Sequence, residues 1–142
     1  NEAKEVIPMI DIQYTIETEQ YGNKTGNRLF IPANIFRKGF TTPDLKQRVQ
    51  DIHINYGYLD TDSICLQIPE GYTIESLPKT CQVTSSFGSF SSSLMIKDKE
   101  ICIIHRLLMH RGIYPKEIYK DFLEFRKQIA AQYSSKIILK KE

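Results

Sequence analysis

The sequence predicts a mainly β (α+β) domain, an antiparallel β-sandwich or rolled sheet of eight or nine short strands with one long amphipathic helix near the C-terminus packed across it. Three observations carry this. Short runs of β-branched and aromatic residues with period two recur along most of the chain, punctuated by Gly, Pro, Asn and Asp. One stripe of helical period follows, at Ile118, Phe122, Phe125, Ile129 and Tyr133. A β-favouring run, residues 136–140, comes after it.

In chain order, Ile10, Ile12, Tyr14 and Ile16 alternate with Asp11, Gln13, Thr15 and Glu17, the period of a strand with one buried face. Residues 21–27, rich in Gly and Asn, form a turn that returns the chain into residues 28–31, making a hairpin. Residues 32–45 have no clean period, and Gly39 and Pro43 break them, so they read as a surface connection. Alternation resumes over residues 49–58, with Ile52, Ile54, Tyr56 and Tyr58 on one side and His53 and Asn55 on the other. Asp60-Thr61-Asp62 then turns the chain into a strand at 63–68. The next strand, 72–77, is bracketed by Pro69 and Pro78.

Residues 84–93 contain six serines but are no linker, because Phe87 and Phe90 flank Gly88-Ser89. Gly at the first central position suits a type II′ hairpin turn or a bulge, with the serines on the solvent face. Lys97-Asp98-Lys99 joins a second hairpin, whose return strand is apolar on both faces at residues 101–104 and so belongs in a sheet centre, covered on both sides. For the helix, Pro115 suits the first turn, Glu117 and Asp121 complement the dipole at its start, and Arg126 and Lys127 lie nearer its end.

Composition fits one domain spanning residues 1–142, with 41% apolar residues. Nineteen basic against 17 acidic side chains, with no basic stripe interleaved with aromatics, point to no nucleic-acid or anionic-membrane partner. No run reaches the ~20 apolar residues of a membrane span. No positively charged stretch and apolar core follow Asn1, so the chain reads as a piece of a longer protein, with any signal peptide outside it.

Cys65, Cys81 and Cys102 are odd in number and lack zinc-motif spacing. Each stands in an apolar or strand-like setting, where a free Cys acts as a small buried hydrophobe; one disulfide among them stays open in an oxidising compartment. None opens a helix after a turn, the environment that lowers a thiol pKa, so no catalytic residue is assigned. His53, His105 and His110 have no ligand spacing, no metal or cofactor is expected, and His105 and Arg106 read as strand-face or rim residues. Tyr56 and Tyr58 could form a stacking platform, although Ile52 and Ile54 continue the same face and favour core. Asn23-Lys24-Thr25 fits an N-glycosylation pattern that arises often by chance.

The segment Pro69-Glu70-Gly71-Tyr72-Thr73-Ile74-Glu75-Ser76-Leu77-Pro78-Lys79 is followed in order by Phe87-Gly88-Ser89-Phe90, the apolar run through Arg106, Tyr114-Pro115, the helix and Lys136-Ile137-Ile138-Leu139-Lys140. From about Tyr14 onwards this order resembles the C-terminal domain of secreted bacterial transglutaminase-like proteins that carry an N-terminal domain of unknown function. The resemblance implies a non-catalytic accessory domain, periplasmic or extracellular, whose partner is the upstream catalytic core of the same chain, with a protein or a glycan as a further partner. It covers the region after the catalytic core, so no catalytic residue is carried over. An apolar docking patch is expected around residues 36–45, at Phe36 and Phe40. Two other classes are a carbohydrate- or peptide-binding module using Tyr56, Tyr58 or the Phe87 to Phe90 turn, and a small thiol hydrolase. Exposed aromatic rings in a concave pocket would favour the first, and a Cys within hydrogen-bond reach of a His the second.

Overall fold

The computed structural model describes residues 10–19, 21–37 and 41–142. Its strands are β1 (Asn23–Thr25), β2 (Arg28–Pro32), β3 (Ile52–Ile54), β4 (Tyr58–Gln67), β5 (Tyr72–Ser76), β6 (Cys81–Ser85), β7 (Gly88–Lys97), β8 (Glu100–Met109) and β9 (Gly112–Tyr114). A 3-10 turn, Lys116–Ile118, leads into helix α1 (Tyr119–Tyr133), and β10 (Lys136–Lys141) follows. Antiparallel strands with one helix, the predicted class, are what the chain forms, with ten strands among the described residues.

Three antiparallel units organise them: a sheet β4-β8-β7-β6, a sheet β1-β2-β10-β5, and the pair β3-β9. The inner face of the first sheet is covered twice. Phe90 and Leu107 pack with Phe87, Met109 and Ile52 against Tyr119, Leu123, Phe125, Ile129 and Tyr133 of α1. Further along, Ile101 and Ile103 pack against Ile31, Ile137 and Leu139 of the second sheet. Helix and second sheet thus lie side by side over one platform, and the chain passes between them in the two residues separating α1 from β10. The helix buries the predicted Phe125, Ile129 and Tyr133 and adds Tyr119 and Leu123, while Phe122 is half-buried. Arg48 fastens the connection before β3 to the helix start, its guanidinium lying 4.6 Å from the centre of the Tyr119 ring.

Several expectations are corrected. Residues 10–16 form no strand: Ile10, Ile12, Tyr14 and Ile16 keep between 61% and 85% of their surface exposed. The returning strand is β2, where residues 28–31 were expected, but its hairpin partner is β1, inside the stretch 21–27 read as a turn, and the chain reverses at Gly26 with φ 60°. The alternation over 49–58 is interrupted, because β3 ends at Ile54 and Tyr58 opens β4 in a different sheet. Asp60-Thr61-Asp62 is no turn but lies inside β4; both carboxylates reach Arg37, and that tertiary partner overrides turn preference. The hairpin β6-β7 turns at Ser86-Phe87, two residues before the predicted Gly88-Ser89. Gly88 follows with φ 149°, and a Cβ there would sit 1.9 Å from the Leu108 carbonyl oxygen, so Gly serves close strand approach rather than the turn itself. Ser92, expected outside with the other serines, is buried beside His105. Strand β8 is central, and within 101–104 Ile101, Cys102 and Ile103 are buried and Ile104 is half-buried, whereas further along its outer face Arg106 and Leu108 are exposed.

Two cysteines are not the free thiols read from their settings. Cys65 and Cys102, directly opposite across β4 and β8, form a disulfide, and only Cys81 keeps a thiol. A cross-strand pair places two Cβ atoms close enough to bond, which their separation of 37 residues in the chain does not reveal.

Candidate functional site

The inner face of β4 changes character along its length. Leu66 packs against the second sheet's core, while earlier on the same face, in step with Ile64, come Asp62 and Asp60. These acids meet the segment after β2. Ala33 donates its N–H to the Ser135 carbonyl at 2.9 Å, tying that segment to the start of β10. Asn34, buried, then folds its side chain back: Oδ1 accepts the N–H groups of Phe36 and Arg37 at 3.0 and 3.1 Å. This local Asx arrangement aims Arg37 at β4. Its guanidinium is 3.1 Å from Asp62 and 3.0 Å from Asp60. Burial works against the Arg37 charge, but the hydrogen bond to Asp62 and the two carboxylates outweigh it and hold its pKa above the ordinary value.

With Oδ1 occupied, Asn34 Nδ2 donates to Asp62 at 3.2 Å and faces Nδ1 of His105 at 3.5 Å. Nδ1 is therefore the acceptor, and the neutral ring carries its proton on Nε2. His105 is 1% exposed, at the junction of the two cores, with Nε2 lacking a hydrogen-bond partner among the described residues. Burial lowers its pKa, opposed by Asp62. Tyr133 packs edge-on against His105 at 5.2 Å, and burial, reinforced by Asp62 and Asp60, pushes its phenol up to about 12. Across the gap, Arg126 of α1 is held against the Tyr58 hydroxyl; burial lowers its pKa and Tyr58 opposes that.

Between these groups opens a cleft of about 190 Å³, lined by Phe36, Arg37, Tyr58, Asp60, Leu107, Arg126 and Tyr133. Of the sequence candidates, it unites Phe36 and Tyr58, whose rings are partly open to solvent. Tyr56 is displaced to a separate depression beside His53 and Arg111, because the chain breaks at residues 55–57. Phe87 and Phe90 are fully buried core residues rather than a ligand surface. Phe40 lies outside the described residues.

Asn34, Arg37, Asp60, Asp62, His105, Arg126 and Tyr133 were not recognised as a site in the sequence. Two signals existed: Asp60 and Asp62 keep the register of Ile64 and Leu66, and Arg126 falls four residues after Phe122 on the apolar stripe of the helix. A charge in core register implies a buried counterpart.

Cys65, Glu100 and Cys102 bring possible metal-binding atoms within 4.8 Å, but the two sulfurs are bonded to each other, which leaves Glu100 alone there. Cys81 is half-buried, and burial raises its pKa, the reverse of thiol activation.

A family model described as a domain of unknown function, DUF3858, matches residues 27–139. No curated protein and no solved structure matches the chain.

Proposed function

The chain belongs to the DUF3858 family, and on that premise we propose that it is a non-catalytic accessory domain at the C-terminal end of a transglutaminase-like protein, docking on the upstream catalytic core of the same chain. One observation carries this reading. Tyr14, Ile16, Thr18, Tyr21, Ile35 and Phe36 line a groove of about 360 Å³. Tyr14, Ile16, Ile35 and Phe36 are exposed apolar side chains gathered in one groove rather than scattered singly, the mark of a surface covered by a neighbour. Phe36 was the position expected for such a patch, and it is 71% exposed. The Cys65–Cys102 disulfide supports a periplasmic or extracellular location, where such bonds persist. The raised pKa of Cys81 and the bonding of the other two sulfurs support a role without thiol chemistry.

Calorimetric titration of this chain into the separately expressed upstream core tests the reading. Saturable association, weakened by Ile16→Lys or Phe36→Asp in the groove, is the expected result. Hydrolase or transglutaminase turnover by the isolated chain, lost on Cys81→Ala, would overturn it, as would complete absence of association.

A further inference from the structure

The cleft beside the groove has chemistry of its own. Its charges balance: Arg37 and Arg126 stand against Asp60 and Asp62, and Arg37 is already paired with both carboxylates. A charged ligand would have to compete with those pairs, whereas a neutral one need only add hydrogen bonds to them. Donors and acceptors share the lining: the Arg37 guanidinium lies 3.0 Å from the Asp60 carboxylate, and the phenols of Tyr58 and Tyr133 both act on Arg126. Because its pKa is pushed to about 12, the Tyr133 phenol keeps its proton and stays a donor throughout the physiological range. At the rim the Phe36 ring offers an exposed face, and Leu107 supplies an apolar wall.

Adjacent carboxylate and guanidinium groups match vicinal hydroxyls, and an exposed aromatic face matches the C–H face of a pyranose. We propose that this cleft binds one neutral sugar ring, held by Arg37, Asp60, Tyr58 and Tyr133 and stacked on Phe36. The cleft is smaller than the ~300–1,000 Å³ of sites for drug-sized ligands, so it takes a single residue of a glycan. Binding at this cleft stands apart from docking in the groove, although Phe36 lines both.

The test is an amide-resolved NMR titration of the 142-residue chain with glucose, galactose and N-acetylglucosamine. Acetate and methylammonium serve as charged controls. Saturable shifts at residues 36–37, 58–60 and 133 are expected for at least one sugar, with a dissociation constant in the millimolar range. Phe36→Ala should weaken that binding by roughly three- to tenfold, the range for loss of an aromatic contact. Asp60→Asn, which leaves the groove untouched, should weaken it as well, with the melting temperature of each variant as a fold control. No saturable response up to about 50 mM sugar, more than tenfold above a millimolar constant, would overturn the proposal. So would a stronger response to acetate or methylammonium, or shifts centred on Tyr56 instead. Failure of the core titration with sugar binding intact would remove docking and leave this site standing.

Discussion

Residues 10–16 and strand β10 look alike on paper, and the molecule treats them oppositely. Both are short runs rich in Ile with polar residues interspersed. Strand β10 sits second from one edge of its sheet, paired with β2 on one side and β5 on the other, and buries Ile137 and Leu139 completely or nearly so. Residues 10–16 pair with nothing in the described structure and leave their apolar side chains in water. Period two is thus a statement about what a segment could bury. Whether it becomes a strand depends on an open ladder of backbone groups beside it, and here that ladder is supplied to one segment alone.

Replacement on the paired side should be costly. Phe125→Ala and Ile137→Ala each empty a fully packed site and should lower stability by roughly 3–5 and 2–5 kcal/mol respectively in denaturant melts. A loss below about 1 kcal/mol for Ile137→Ala would break the comparison, since β10 would then be no better packed than the exposed run.

A second experiment asks whether the platform under β10 depends on its covalent tie. Reducing Cys65–Cys102, or changing both residues to Ala, frees a 37-residue loop and should cost about 2–4 kcal/mol, measured as a lower denaturant midpoint. The Cys81→Ala control keeps the disulfide and should cost less.

Titration sharpens the boundary between the two cores. Folding depresses the pKa of His105, which is faced by Asn34, Asp62, Ser92 and Tyr133, so the unfolded chain takes up its proton first as pH falls. Stability should decline from about pH 6.5 downwards. The neutral His105→Gln variant should flatten that limb. For Tyr133 the folded pKa is raised, so its contribution is intact below about pH 10, the value for a free phenol, and is lost as pH climbs towards about 12. Tyr133→Phe should remove that alkaline loss. Chemical denaturation across pH measures both limbs.

The smallest effect belongs to the unpaired side. Ile12→Ala should change stability by less than about 0.5 kcal/mol, as at exposed positions generally. A loss above about 1 kcal/mol would show residues 10–16 engaged in a packed strand after all.

Much of the scaffold was legible because its signals are local. The helical stripe, the Lys97-Asp98-Lys99 reversal between β7 and β8, and the β-rich run after the helix each contain their own evidence within a few residues. The site was not, because its partners are distant in sequence. Arg37 and Asp62 are 25 residues apart, Asn34 and His105 are 71 apart, and nothing near Asp62 announces that a guanidinium will neutralise it. Read alone, Asp60-Thr61-Asp62 has turn chemistry, and His105 in an apolar strand has no visible companion. The same holds for Phe87 and Phe90, whose glycine-flanked setting suggested an exposed turn, whereas Tyr114, Phe122 and Tyr133 close around them.

Strand β10 also sets a timetable for synthesis. Three strands of the platform sheet can assemble from neighbours in the chain, since β6-β7 and β7-β8 are tight hairpins to which β4 then adds. The second sheet cannot, because β2 and β5 meet only through β10, which begins about sixty residues beyond the end of the later of them. Until β10 emerges from the ribosome, Ile101 and Ile103 lack the Ile137 and Leu139 that cover them, and the nascent chain presents an unshielded apolar face. A nonsense codon just after the helix would make that transient state permanent, leaving a product without that cover and prone to aggregate.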